Sequence, residues 1–450
     1  MSRLDTLLAS LGGYRSLPCI VSESGTYTYA DLLAECEQWK SHCKNLSISP
    51  GSVVGIRADY SVSATAAMLA LLARGAVVAL LPRDRDLQSY LNDACVSEFL
   101  TIETEGQWRH ERIAIDCDHP LLERMRARGE SGIVVFTSGS TGRPKAAVQS
   151  TERFLSKFTK PGRRFRTLAF LRFDHIAGLD TLFYSLASGG ALVLTRQRDP
   201  ESILDAIDRY KAEVLPASPS FLRLLCLTKA DEKRDLSSLQ IITYGSEPMD
   251  PPTLALLNRR FSNLQISQKY GTTETGSPKS VSRGNDSLWI KLGSGVETKI
   301  VAGTLWIRSD ATILGYLNAP SPLDSNGWYN TGDLVDVDGE WIRFRGRASD
   351  VINVGGEKVA PTEVEQTILE LDFVRSAVVE GEKNALMGQI VTARVALTST
   401  AQSLGAIKRI RTHCAEHLAR YKIPVKIHIV DELLVNDRQK KQRTIQSAPR

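Results

Sequence analysis

The chain has 450 residues, 56 basic against 51 acidic side chains for a net charge of +5, and 42% hydrophobic residues. A soft prior of about 150 residues per domain allows two or three domains with real cores and excludes a stapled mini-protein. Ordinary Gly and Pro content excludes collagen-like, coiled-coil and disordered classes, and so slight a positive excess excludes binding to nucleic acid or an anionic membrane by bulk charge.

The N-terminal MSRLDTLLASLGGYRSLPC lacks the long apolar core of a signal peptide. Cysteines 19, 36, 43, 95, 117, 226 and 414 are odd in number, scattered and free of any CxxC pair. They argue against a disulfide framework or a zinc site, and a cytoplasmic protein is expected. The most apolar stretch, Ala64 to Leu81, is interrupted by Arg74 and Gly75, so neither half spans a bilayer. It predicts a buried helix, ATAAMLALLA, stopped at Gly75 and followed by a buried strand, AVVALL.

Farther along, the strand-like runs GIVVF (132–136), ALVLT (191–195), AEVLPA (212–217) and QIITYG (240–245) alternate with helix-period segments such as PESILDAIDRYK. This predicts an α/β fold with buried sheets. From about Ser287 the pieces SLWIKL, ETKIV, GTLWIRS and EWIRFRGR predict a small, mainly antiparallel β-rich unit. After Arg347 helix and strand patterns return, predicting a C-terminal α/β domain of roughly 100 residues.

The strand GIVVF runs into TSGSTGRPK, where Thr137, Ser138, Gly139, Ser140, Thr141, Gly142 and Lys145 combine hydroxyls, backbone amides and a cation. That is the composition of a loop wrapping phosphate oxygens. It is not a Walker A loop, because GK[ST] is absent and Pro144 precedes Lys145. TSGSTGRPKA resembles the nucleotide-phosphate loop of the adenylate-forming superfamily, which contains acyl-CoA and aryl-CoA ligases, luciferases and nonribosomal peptide synthetase adenylation domains. The family's other motifs follow in order. GSEPM (Gly245, Ser246, Glu247) resembles the adenine-side segment, and YGTTETG (Tyr270, Gly271, Thr272, Thr273, Glu274) the Tyr-Gly-x-Thr-Glu motif. WYNTGDL with Asp333 resembles the ribose motif, and FRGRASDVINVGGEKVAPTEVE with Arg347 and Ser349 the interdomain hinge. The match runs from about Ile133 to the end of the chain, and MLALLARGAVVALLP extends it upstream.

The resemblance implies the adenylate-forming enzyme fold: an N-terminal AMP-binding domain over residues 1–348, with a β-rich subdomain, and a mobile C-terminal domain over 349–450. It implies ATP and Mg²⁺ as cofactors. A carboxylate attacks the ATP α-phosphate and pyrophosphate leaves, chemistry that demands charge neutralisation and positioning. Glu274 is implied as the Mg²⁺ ligand, Thr273 as a phosphate contact, Tyr270 as an adenine neighbour, and Asp333 with Arg347 as ribose ligands. The catalytic lysine is implied in NDRQKKQR at Lys440, with Lys441 the neighbouring alternative. Asn436 and Gln439 replace the family's Thr and Gly there, and a solvated basic tail is the plain reading of the same residues. Ser349 is implied as the hinge.

For the acid, LRFDHIAGLDTLF offers two readings. His175 to Gly178 resembles acyl- and aryl-CoA ligases, whereas Phe173-Asp174 resembles amino-acid-adenylating domains, whose Asp holds the substrate ammonium. Ser218, Tyr244 and Gln268, within the stretches Ala217 to Ser220 and Gln268 to Gly271, are the other expected pocket walls. The acceptor is expected in trans, as CoA or the phosphopantetheine of a stand-alone acyl or peptidyl carrier protein, since no carrier segment is recognisable. No nucleic acid and no membrane span is expected. An acid–thiol ligase is the expected function; an amino-acid-activating enzyme loading a carrier, or a degenerate nucleotide-binding protein, are the alternatives.

Overall fold

The computed structural model describes residues 1–83, 87–103, 106–115, 117–137, 143–228, 234–398 and 405–431. The first sheet has seven strands in the order Gly315–Tyr316, Lys145–Ser150, Gly132–Thr137, Val77–Leu80, Val53–Arg57, Glu98–Ile102 and Trp108–Arg112. Its centre is parallel, and its outer pairings are antiparallel. The predicted helix is Val62–Ala73, capped by Ser61 Oγ on the Ala64 amide at 3.0 Å. Its residues Ser63 to Leu72 are buried on every side, as all-round apolar helices must be. Gly75, at φ +81°, takes the left-handed turn that ends it, and Val77–Leu80 follows as a buried strand.

A second seven-stranded sheet runs Gln265–Gln268, Ile241–Tyr244, Val214–Ala217, Arg166–Leu168, Ala191–Val193, Pro18–Ser22 and Gly25–Thr28. It is parallel except for the hairpin of its last two strands. Helix Ile176–Ser188 contributes Leu179, Leu182 and Phe183 to the same buried cluster as Phe154, Leu69 and Leu72, with the Phe183 and Phe154 rings 5.3 Å apart edge to face. The predicted β-rich unit is an antiparallel six-stranded sheet from Ser280–Ser282 to Trp341–Arg347. The C-terminal part pairs Ile352–Val354, Glu357–Val359, Val374–Asn384, Gly388–Leu397 and Lys426–Val430, with helices Pro361–Leu369 and Ala406–His417 on a common core.

The cysteine pattern reads differently in three dimensions. Cys95 and Cys117 form a disulfide with Cα atoms 5.8 Å apart, joining the turn after helix Gln88–Asp93 to the segment beyond strand Trp108–Arg112. They stand 22 positions apart in the sequence, and the antiparallel pairing of Glu98–Ile102 with Trp108–Arg112 folds the two segments back toward each other. The cysteine pattern, which argued against a disulfide framework, gave no sign of this one bond, and the expectation is corrected at this pair. Cys19, Cys36, Cys43, Cys226 and Cys414 are buried and outside any disulfide; burial pushes the Cys19 and Cys36 thiols up to about 12, which keeps them unreactive.

Candidate active site

The expected site residues gather at the carboxyl ends of strands, where open α/β sheets place their ligands. Val214–Ala217 ends at Ser218, Ile241–Tyr244 at Gly245, Gln265–Gln268 at Lys269 and Tyr270, and Gly132–Thr137 at the loop expected to wrap phosphate. Of that loop, Ser138 to Gly142 lie outside the described residues, as do Lys440 and Lys441. The loop's base is fixed on both sides. Thr137 is buried and pairs with Lys145 across the hairpin. Asn318 accepts from the Ala146 amide and donates to the Pro144 carbonyl, each at 2.9 Å. Arg143 forks onto the carboxylate of Asp93, which is itself buried.

From this base Lys145 projects over the ring of Tyr316, its Nζ 5.3 Å from the centroid. The Tyr316 hydroxyl donates to Glu274 Oε1 at 2.6 Å, and the Tyr329 hydroxyl also engages Glu274. Burial first and the Glu274 charge second raise both phenols, so they stay protonated donors. Glu274 is buried and its backbone carbonyl accepts from Ile313. A buried carboxylate held by two phenols beside a lysine is a hard, oriented oxygen donor that fits Mg²⁺, which when bound would neutralise phosphate charge. Thr273 stands half-buried beside it, and Thr272 Oγ1 takes the Thr275 amide at 3.1 Å, closing the turn. Gly271 lies against the Gly276 carbonyl.

A second constellation surrounds Asp333. Its Oδ2 accepts from Tyr270 Oη at 2.8 Å and its Oδ1 lies 3.1 Å from Arg347 Nε. Thr331 Oγ1 accepts from the Asp333 amide at 3.0 Å while donating to the Leu305 carbonyl at 2.8 Å, which fixes the backbone. One face of the Tyr270 ring stacks on Phe344 with centroids 4.4 Å apart, so that face is not available to an adenine. Ser349 sits in the exposed turn Ala348–Asp350, its hydroxyl donating to Asp350 at 3.0 Å.

The acid-side residues also have local partners. Ser218 caps helix Pro219–Leu227, its Oγ accepting from the Phe221 amide at 3.2 Å, and Glu247 accepts from Ser220 N at 2.8 Å. Glu247 thereby holds the turn through Ser246, which takes a left-handed φ of +72°. A Cβ at Gly245 would meet the Lys269 carbonyl at 2.6 Å, and one at Gly178 would meet the Arg172 carbonyl at 1.8 Å. Tyr244 Oη donates to Gln268 Oε1 at 3.3 Å. Asp174 Oδ1 accepts from Arg172 Nε at 3.0 Å, with His175 Nε2 4.0 Å away. Reading the sequence missed Tyr316, Tyr329 and Arg172. Tyr329 lies inside WYNTGDL and Arg172 inside LRFDHIAGLDTLF, but Tyr316 stands outside every motif and is found only through the fold.

Two family models cover most of the chain: "AMP-binding enzyme" over residues 9–317 and "AMP-binding enzyme C-terminal domain" over 363–441. The chain belongs to the AMP-binding enzyme family. It is 30% identical over 340 residues to a 2-succinylbenzoate–CoA ligase of Bacillus velezensis, covering 70% of this chain and 68% of the relative. It is 26% identical over 355 residues to the long-chain-fatty-acid–CoA ligase FadD13 of Mycobacterium tuberculosis, covering 73% and 69%. The crystal structure of the anthranilate CoA ligase AuaEII in complex with anthranoyl-AMP superposes at a TM-score of 0.84 with 20% identity, over 98% of this chain and 96% of that one. Both the adenylate-forming superfamily and its α/β fold are as the sequence motifs implied. This AMP-binding enzyme is an acid–thiol ligase that activates a carboxylic acid with ATP.

Proposed function

We propose that the enzyme activates an organic acid that carries no amino group and transfers the acyl group to CoA. The observation that carries the first part is the Arg172–Asp174 pair. An enzyme that holds a substrate ammonium needs a carboxylate aimed at it, and Asp174 is instead spent on a guanidinium 3.0 Å away. Both partners are largely buried, at 12% and 9% side-chain exposure, so a substrate amine would have to displace a desolvated Arg. CoA as acceptor is supported by the relatives named above, which are CoA ligases by name.

In this reading Lys145, Thr273 and Glu274 position the phosphates, Glu274 holds Mg²⁺, and Asp333 with Arg347 clasps the ribose hydroxyls. His175 lines the acid end, and Lys440 reaches the reacting carboxylate. The chain divides into residues 1–348 and 349–450, with Ser349 absorbing the rotation between the two half-reactions. The test is acid-dependent ATP–pyrophosphate exchange across aryl, acyl and amino acids, followed by thioester formation with CoA or with a stand-alone carrier protein. Exchange with organic acids and thioester only with CoA is the expected result. Exchange confined to amino acids would overturn the first part, and transfer only to a carrier would overturn the second.

A further inference from the structure

Away from the nucleotide and acid residues, the two helices of the C-terminal part bring a carboxylate and two imidazoles together. Helix Ala406–His417 carries His413 and His417 four residues apart, so both rings stand on one face, with centroids 4.3 Å apart. Glu370 caps the end of helix Pro361–Leu369, and its Oε2 lies 2.9 Å from His413 Nε2. One ligand atom from each of the three side chains lies within 4.8 Å of the other two, the one such grouping of His, Cys, Asp and Glu among the described residues.

The chemistry of these groups suits a metal as well as their spacing does. His417 Nδ1 is 2.9 Å from the His413 carbonyl, which can only accept, so Nδ1 carries a proton and a neutral ring keeps its Nε2 lone pair for a metal. Metal-bound imidazoles ordinarily have their other nitrogen held by such an acceptor, which fixes the tautomer. Bonds of about 2.0–2.2 Å to a tetrahedral ion set ligand atoms roughly 3.4 Å apart. That separation lies between the 2.9 Å Glu370–His413 contact and the 4.8 Å limit of the group. Side-chain adjustment can supply the difference, because Glu370 is 47% exposed and His417 is exposed, while His413, at 19%, stays held. An ion entering between Glu370 and His413 takes the place of the proton they share. Cys414 belongs to the buried core of this part, so no thiolate joins the group. The cysteine spacing that argued against a zinc site therefore does not bear on this one. Cys414 also stands where the H-E-x-x-H of metalloproteases needs Glu, so the pair is not that hydrolytic motif.

We propose that Glu370, His413 and His417 bind one divalent transition-metal ion of the Zn²⁺ class, clamping the end of helix Pro361–Leu369 to the last turn of helix Ala406–His417. Two nitrogens and one oxygen suit Zn²⁺ or Co²⁺ and leave a position for water, whereas Mg²⁺ favours oxygen ligands throughout. The site is thus separate from the Mg²⁺ role proposed for Glu274, and it does not depend on the ligase reading.

The experiment titrates ZnCl₂ into the untagged full-length chain by calorimetry with MgCl₂ in excess, and CoCl₂ by visible absorption. The expected results are one Zn²⁺ site that Mg²⁺ does not displace and a Co²⁺ d–d band without thiolate charge transfer. The urea midpoint should rise with Zn²⁺ and return with EDTA. His417→Gln removes an exposed ligand without touching the core and should weaken Zn²⁺ binding about tenfold or more. His413→Gln combined with His417→Gln should abolish both the binding and the midpoint shift. Each shift is read with and without Zn²⁺ in the same variant, so a change in metal-free stability does not imitate it. No Zn²⁺ binding by the wild type, displacement by Mg²⁺, a thiolate band with Co²⁺, or full-strength binding in His417→Gln overturns the proposal.

Discussion

Arg223 Nη2 donates to the Leu369 carbonyl at 3.0 Å, joining helix Pro219–Leu227 beside the proposed acid site to the end of helix Pro361–Leu369 in the C-terminal part. The same guanidinium donates to the carbonyls of Val374 and Arg375, each at 2.9 Å, and to Thr253 Oγ1. Its side chain is buried. One residue thus holds three backbone acceptors of a part that has to move in the proposed two-step reaction. Hydrogen bonds from a charged donor contribute about 1.5–3 kcal/mol each, and orphaned buried carbonyls add a penalty.

Arg223→Met is therefore expected to destabilise the protein by about 3 kcal/mol in urea unfolding. It should also speed tryptic cleavage around residues 343–350, since the two parts lose their shared donor. Cleavage at the wild-type rate would show that other contacts hold the C-terminal part.

Tyr316 is the side chain that links Lys145 to Glu274. Tyr316→Phe keeps the ring beneath the ammonium and deletes only the 2.6 Å hydrogen bond. Losing a hydrogen bond to a charged group costs about 1.5–3 kcal/mol, roughly tenfold or more in an equilibrium constant. The Mg²⁺ concentration giving half-maximal exchange should rise about tenfold, with the KM for acid unchanged. An unaltered Mg²⁺ dependence would separate Tyr316 from metal binding.

Tyr316 also marks how far the residues alone could lead. The strands over GIVVF, AEVLPA and QIITYG and the helix stopped at Gly75 were legible because local period and turn chemistry agree with the tertiary environment. The motif residues were legible because their functional groups sit in contiguous loops. Tyr316 and the Cys95–Cys117 bond were not, because each depends on a partner brought near by sheet pairing or packing and leaves no local pattern; Arg172 was passed over although its partner Asp174 stands two residues away. Ser218 was read as a pocket wall from its position, and its hydroxyl does a nearer task in capping a helix.

Asp333 is held by Tyr270 and Arg347 at once, so the two partners can be weighed separately. Asp333→Asn turns one acceptor oxygen into a donor that faces Tyr270 or Arg347, and should raise the KM for ATP by roughly tenfold or more. Tyr270→Phe keeps the stack on Phe344 and removes only the hydroxyl, so its effect should be smaller. Steady-state kinetics with ATP varied at saturating acid makes the comparison. A larger effect for Tyr270→Phe would mean that the hydroxyl, and not the carboxylate, meets the nucleotide.

Lys157 gives the enzyme a pH-dependent stability whose sign can be worked out. Burial, with repulsion from Lys269 and Lys279, pulls its ammonium from the ordinary 10.5 to about 7, even though the side chain pairs with Asp180. Between about pH 7 and 10.5 the unfolded chain therefore binds a proton that the folded chain has released. Stability from this group rises with pH across that window, and below it both states are protonated and the cost of the buried charge is felt in full. The paired variant Lys157→Met with Asp180→Asn leaves neither charge behind. Its urea midpoints at pH 6, 7, 8 and 9 should rise less with pH than those of the wild type, the two curves converging toward pH 9. Parallel curves would mean that the Asp180 pair keeps Lys157 protonated throughout.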